Sequence, residues 1–375
     1  MLKTHSIRDF RIIIGLAISC APILVYSAPS ISGVYRSLDT ENKVIVITGT
    51  NFTEAPNVVL FDNFERGNDG QVVPLDSPMI GNWSGYGTLG QPRYTSKSDD
   101  GLGYFVRDFE RPITDGNRQA QLIKKFDSYQ DEIYFSFSAK VPQGFAFAGA
   151  SQTNSFPSVS SWKFSWLMSG STGYENGDGQ FDICIPTHVG NGSFLLGGND
   201  GNLTYIDDGS KWWDWNNFND IAFHIAFDKG SPSSGPINWF IEITSGKNYS
   251  FNSGEASPTK FNNTDNRFDR VNFSGWWGNG SLENFSGIYD NIYIAIGDNT
   301  KSRVVITNNK LRNLSTRSIT VPAISWSNNK IEIDEQVIPD WNESYFHISD
   351  MHGVFSNEGS PICPNCPSPV KPTIE

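Results

Sequence analysis

Glu132-Ile-Tyr-Phe-Ser-Phe-Ser-Ala-Lys140 alternates apolar and polar side chains from end to end. A period of two is the mark of a strand with one face in a core. It sends Ile133, Phe135, Phe137 and Ala139 inward and turns Tyr134, Ser136, Ser138 and Lys140 outward. The pattern recurs in Gln119-Ala-Gln-Leu-Ile-Lys-Lys-Phe126, Trp162-Lys-Phe-Ser-Trp-Leu167, Phe181-Asp-Ile-Cys-Ile185, Ile221-Ala-Phe-His-Ile-Ala-Phe227, Asn238-Trp-Phe-Ile-Glu-Ile243 and Tyr289-Asp-Asn-Ile-Tyr-Ile-Ala-Ile296. Gly, Asn and Ser turns separate these runs, and no segment offers a capped helical period. The reading is all-β: a two-sheet sandwich of jelly-roll type over residues 61–300.

The same alternation nominates a site. It sets Lys163 and Ser165 opposite Trp162, Phe164 and Trp166, His224 opposite Phe223 and Ile225, Asp182 opposite Phe181 and Ile183, and Glu242 opposite Trp239 and Ile241. If these strands share a sheet, its outer face carries Ser136, Lys163, Asp182, His224 and Glu242, the composition of a saccharide groove; the alternative is an ordinary solvated face. Trp212-Trp-Asp-Trp215 and Gly275-Trp-Trp-Gly278 sit among turn residues, where Trp212, Trp213, Trp215, Trp276 and Trp277 offer flat apolar surfaces to sugar rings or anchor loops.

Short β-branched runs occur at both ends of the chain. Ile31-Ser-Gly-Val-Tyr35, Lys43-Val-Ile-Val-Ile-Thr-Gly-Thr-Asn-Phe52 and Pro56-Asn-Val-Val-Leu-Phe61 stand at one end. Ser302-Arg-Val-Val-Ile-Thr307, Ile324-Ser-Trp-Ser-Asn-Asn-Lys-Ile-Glu-Ile333 and Tyr345-Phe-His-Ile-Ser-Asp-Met-His-Gly-Val-Phe-Ser356 stand at the other. Together they resemble the two halves of an immunoglobulin-like IPT/TIG domain. The organisation expected is one small immunoglobulin-like β-sandwich, residues 28–60 plus 301–360, with the jelly roll inserted in it. Two unrelated small β-domains are the alternative.

The inserted segment resembles the concanavalin-A-like lectin/glucanase superfamily, which includes laminin-G-like modules and jelly-roll polysaccharide lyases. Phe61-Asp-Asn-Phe-Glu-Arg-Gly67, the run from Ile221 and Ile288-Tyr-Asp-Asn-Ile-Tyr-Ile-Ala295 carry the likeness. The resemblance implies a fold more than an activity. The Glu-x-Asp-x-(x)-Glu strand of its retaining glycosidases, whose paired carboxylates flank the scissile bond, is absent. Arg118-Gln-Ala-Gln-Leu122 resembles the Arg-x-Glu-Leu-Arg strand of the alginate lyases, with Gln121 an incomplete substitute. A lyase would have to recruit Arg118, Lys163, His224 and a tyrosine such as Tyr134, with His224 the first choice of base and His188 the second. First and last strands of such a jelly roll pair, so Asp62, Glu65 and Asp290 are a candidate calcium set, or ordinary edge and turn acids.

Composition narrows the partners. The formal net charge is -12, against the basic face a nucleic-acid binder needs. Met1 to Arg11 is a basic lead, and Ile12 to Tyr26 an apolar run broken by Pro22, an export signal over residues 1–27 cleaved after Ser27. A lipoprotein signal ending at Cys20 and a membrane anchor are the alternatives, although the run is short for a span. Loss of the signal takes the charge to -14. Export makes a local disulfide between Cys363 and Cys366, in the Pro-rich tail 361–375, the simplest reading of Cys-Pro-Asn-Cys; Cys184 reads as a small buried hydrophobe. The expectation is a secreted or cell-surface protein that binds an extracellular polysaccharide. A polysaccharide-degrading enzyme on the same face and a structural or adhesive protein are the alternatives.

Overall fold

The structure, a computed structural model, describes residues 27–37, 43–87, 91–95, 105–107, 121–140, 162–168, 180–185, 193–198, 204–208, 214, 217–227, 237–256, 268–273 and 288–362. They form an all-β protein of four sheets in which the named strands pair antiparallel.

Two large sheets make the central sandwich. One orders Tyr249–Ala256, Ile237–Thr244, Asn219–Phe227, Glu132–Lys140, Ile288–Ile296, Phe105–Arg107 and Arg93–Thr95, with Asn57–Asp62 also paired to Ile288–Ile296. The other orders Thr204–Asp208, Ser193–Gly198, Gln180–Ile185, Trp162–Met168, Phe268–Phe273, Leu122–Gln130 and Gly85–Tyr86. Between them lies a core of Ile133, Phe135, Phe137, Ile221, Phe223, Ile225, Trp239, Ile241, Leu167, Val271 and Phe273. The inward faces of 132–140, 219–227 and 237–244 are those that alternation assigns.

The strand Trp162–Met168 has the opposite parity. Ser165 and Leu167 are buried, and they stand in register with Phe273 and Val271, both core residues. A strand with aromatics on one side and Ser and Leu on the other can pack by either face, and here the neighbouring strand decides which.

Two four-stranded sheets form the second sandwich. Ser30–Arg36, Val44–Thr50, Lys330–Asp334 and Ser325–Trp326 make one, and Ser318–Val321, Arg303–Thr307, Tyr345–Ser349 and Ser360–Pro361 the other. Val44 to Thr48 pair with Asp334 to Lys330, so the two ends of the chain share a sheet. Ile45, Ile47, Ile331 and Ile333 of the first sheet meet Val304, Ile306, Ile319, Phe346 and Ile348 of the second.

The apolar cluster of this sandwich continues into Phe61, Tyr134, Tyr293 and Ala295 of the eight-stranded sheet. The centre of the face turned away from that sheet's own core is therefore covered, while Phe251 at its edge strand stays exposed. The Ser318–Val321 sheet lies on that centre, and the four sheets stack as layers.

Candidate functional site

The covered face holds most of the residues that alternation nominates. His224, Glu242 and Ser136 are 2%, 5% and 4% exposed. His224 Nε2 bonds Glu132 Oε1 at 2.9 Å, and Thr300 Oγ1 donates to the same oxygen at 2.7 Å. Burial pushes the His224 imidazole below its ordinary value in spite of that carboxylate. Burial acts upward on Glu132, but the bonds from His224 and Thr300 outweigh it and leave the carboxyl low. Tyr134 is fully buried, shares a 2.7 Å hydrogen bond with Thr320 Oγ1, and is pushed up by burial.

Glu242 is ion-paired to Arg312 and, at 3.9 Å, to Arg303. The Arg303 guanidinium lies over the rings of Tyr134, Phe240 and Phe355 at 4.7, 5.5 and 4.6 Å. These groups close the seam between the sandwiches instead of lining an open groove. Sequence alternation identifies an outward face but does not say what covers it.

Lys163 and Asp182 stand elsewhere. Their strands belong to the seven-stranded sheet, where Cys184 pairs with Lys163 and Asp182 with Trp166. They therefore share no sheet with Ser136, His224 and Glu242, and their side chains lie outside the described residues. So do Arg118, His188, Trp212, Trp213, Trp215, Trp276, Trp277, Cys363, Cys366 and the leader up to Tyr26.

The acidic trio does not make a cation site. Asp62 Oδ2 accepts from Trp83 Nε1 at 2.8 Å and Oδ1 from the Phe64 amide at 2.9 Å, and burial raises its carboxyl to about 6. Glu65 is exposed, and Asp290 is buried with Oδ1 accepting from the next amide. No group of three His, Cys, Asp or Glu able to hold a metal occurs among the described residues. This donor set does not fit a calcium ion, which needs several oxygens converging on one point.

At the edge of the seam a cavity of about 260 Å³ opens, lined by Lys140, Asn217, Phe218, Gly246, Thr316, Arg317 and Trp341. The central sandwich supplies the first four and the second sandwich the last three. Arg317 is the joint. Its Nε donates to Asp220 Oδ2 at 2.9 Å, while the guanidinium lies 5.2 Å from the Phe218 ring and 5.1 Å from the Trp341 ring. Asp220 also accepts from the Ser318 amide at 2.7 Å and from Ser138 Oγ at 2.5 Å. A carboxylate with this many donors is a fixed anchor.

Asp214, within the Trp-Trp-Asp-Trp run, accepts from Asn217 Nδ2 at 2.9 Å. A Cβ at Gly246 would lie 2.1 Å from its Oδ2, so only glycine leaves this wall in place. Asp214 of this run thus stands behind two residues that line the cavity. Sequence reasoning missed Phe218, Arg317 and Trp341, whose isolated positions show no period.

No protein-family model matches the sequence, and no curated protein sequence matches it. Among solved structures, the marine PL-14 alginate lyase from Aplysia kurodai is 12% identical at a TM-score of 0.36, over 55% of this chain and 87% of that one. The alginate lyase vAL-1 from Chlorella virus gives 11%, 0.37, 58% and 93%. Lectin II from Ulex europaeus gives 12%, 0.31, 54% and 90%. At these scores nothing about this chain's chemistry follows. Among the described residues no helix is long and apolar enough to cross a membrane.

Proposed function

We propose that this is an exported protein that binds a polysaccharide, and that the seam cavity holds part of the glycan. One observation carries the reading: two aromatic rings, an amide, a hydroxyl and two cations converge on a cavity built by both sandwiches. Aromatic faces match the apolar face of a sugar ring, while fixed polar groups orient its hydroxyls. The proposal includes the leader as a cleaved export signal, and the paired chain ends as a single immunoglobulin-like sandwich interrupted by a concanavalin-A-like one. Catalysis forms no part of it. His224 and Tyr134 are packed into the seam, and Lys163 stands in a different sheet.

Affinity electrophoresis through gels containing individual polysaccharides tests this. At least one should retard the native protein, and Trp341→Ala should lose about tenfold or more in affinity, as removal of an aromatic anchor does. Retardation that is the same in the variant would refute the cavity as the site. Release of unsaturated products absorbing in the near ultraviolet would show a lyase instead.

A further inference from the structure

The walls of the seam cavity are close to charge balance. Lys140 and Arg317 contribute two cations. Asp220 is held by Arg317 through Nε and, at 3.4 Å, through Nη2. Asp214 stands behind Gly246 and Asn217, both lining residues. Two carboxylates in contact with lining residues thus stand against the two cations. An acidic ligand gains no surplus field there, and it approaches a chain of net charge -12.

The remaining lining groups are neutral. Asn217 carries an amide, Thr316 a hydroxyl, and Phe218 and Trp341 rings. Trp341 Nε1 is buried with no hydrogen-bond partner among the described residues, a donor that a ligand hydroxyl would satisfy. The volume, about 260 Å³, is below the roughly 300–1,000 Å³ of drug-sized sites, which leaves room for one ring rather than a run of them.

From this we infer that the seam cavity takes a single neutral pyranose, a chain end or a branch, and discriminates against uronic acids. The inference rests on the cavity being the glycan site, and it adds the charge class of the sugar and the number of rings.

Both parts are testable on the full chain. Binding is measured to a neutral mannan, a neutral β-glucan, alginate and polygalacturonate, each at low and at high salt. Native protein, Trp341→Ala and Thr316→Arg are compared. Thr316 is exposed, so its variant blocks the cavity without disturbing the core and serves if Trp341→Ala misfolds.

The expected result is binding to a neutral polymer that changes less than about twofold with salt, because no counterions are released. It should fall about tenfold or more in the variants. A neutral monosaccharide should compete, and its uronic acid should not. Salt-sensitive binding to acidic polymers alone, lost in the variants, would overturn the neutral-ring inference while leaving the cavity as the site. Binding unaffected by either folded variant, or none to any polymer, would overturn both.

Discussion

Asp62 and His347 are buried groups whose titrations oppose each other. Burial lifts Asp62 from 3.8 to about 6. The folded protein thus keeps a proton the unfolded chain releases, and this contribution to stability is full below pH 3.8 and lost as pH rises through about 6. Burial, helped by the Arg312 charge, takes His347 from 6.5 down to about 4. Its contribution is full above pH 6.5 and lost as pH falls through about 4. Each group alone would tilt stability by up to about 1.4 kcal/mol per pH unit. Urea denaturation from pH 4 to 6.5 should therefore show Asp62→Asn gaining stability with pH more steeply than the native protein, and His347→Gln less steeply. Parallel profiles for all three would contradict this account. Neither environment is visible in the sequence. His347 is buried with Nε2 beside Thr307 Oγ1 at 3.1 Å, a partner forty positions away in the chain.

At the scale of elements, strand parity was legible wherever one face is distinctly apolar. Ile133, Phe135 and Phe137 oppose Tyr134, Ser136 and Ser138, and the first three are core. Parity failed at Trp162–Met168, where both faces are apolar enough to bury and the register with Phe273 and Val271 decides. Polar outward positions misled for a different reason. Glu242 looks like a groove carboxylate, but it is the counter-ion of Arg303 and Arg312, some sixty to seventy positions away in the chain. A charge pair across a seam leaves no local pattern. Glu242→Ala strands two largely buried guanidinium groups, and the loss expected for breaking such a pair is about 3–5 kcal/mol. Guanidinium denaturation would measure it, and a loss below about 1 kcal/mol would mean that the seam is not held there.

Over the whole molecule, repeated runs at the two ends suggested that they belong together. The register of Val44–Thr48 with Lys330–Asp334 is the structural fact that corresponds to them. What no strand pattern conveys is that the second sandwich lies on the sheet face nominated as a groove. Stacking buries Tyr134, His224 and Glu242 and leaves a cavity at the edge, where Phe218, Arg317 and Trp341 meet. Because the cavity belongs to both sandwiches, a bound glycan should restrain both at once. Hydrogen–deuterium exchange, with and without the best-binding polysaccharide, reads this directly. The account predicts slowed exchange confined to the stretches around residues 217–218, 245–247, 315–318 and 340–342, from both halves of the fold. Protection concentrated instead on strands 162–168 and 180–185 of the seven-stranded sheet, with the seam unchanged, would contradict it.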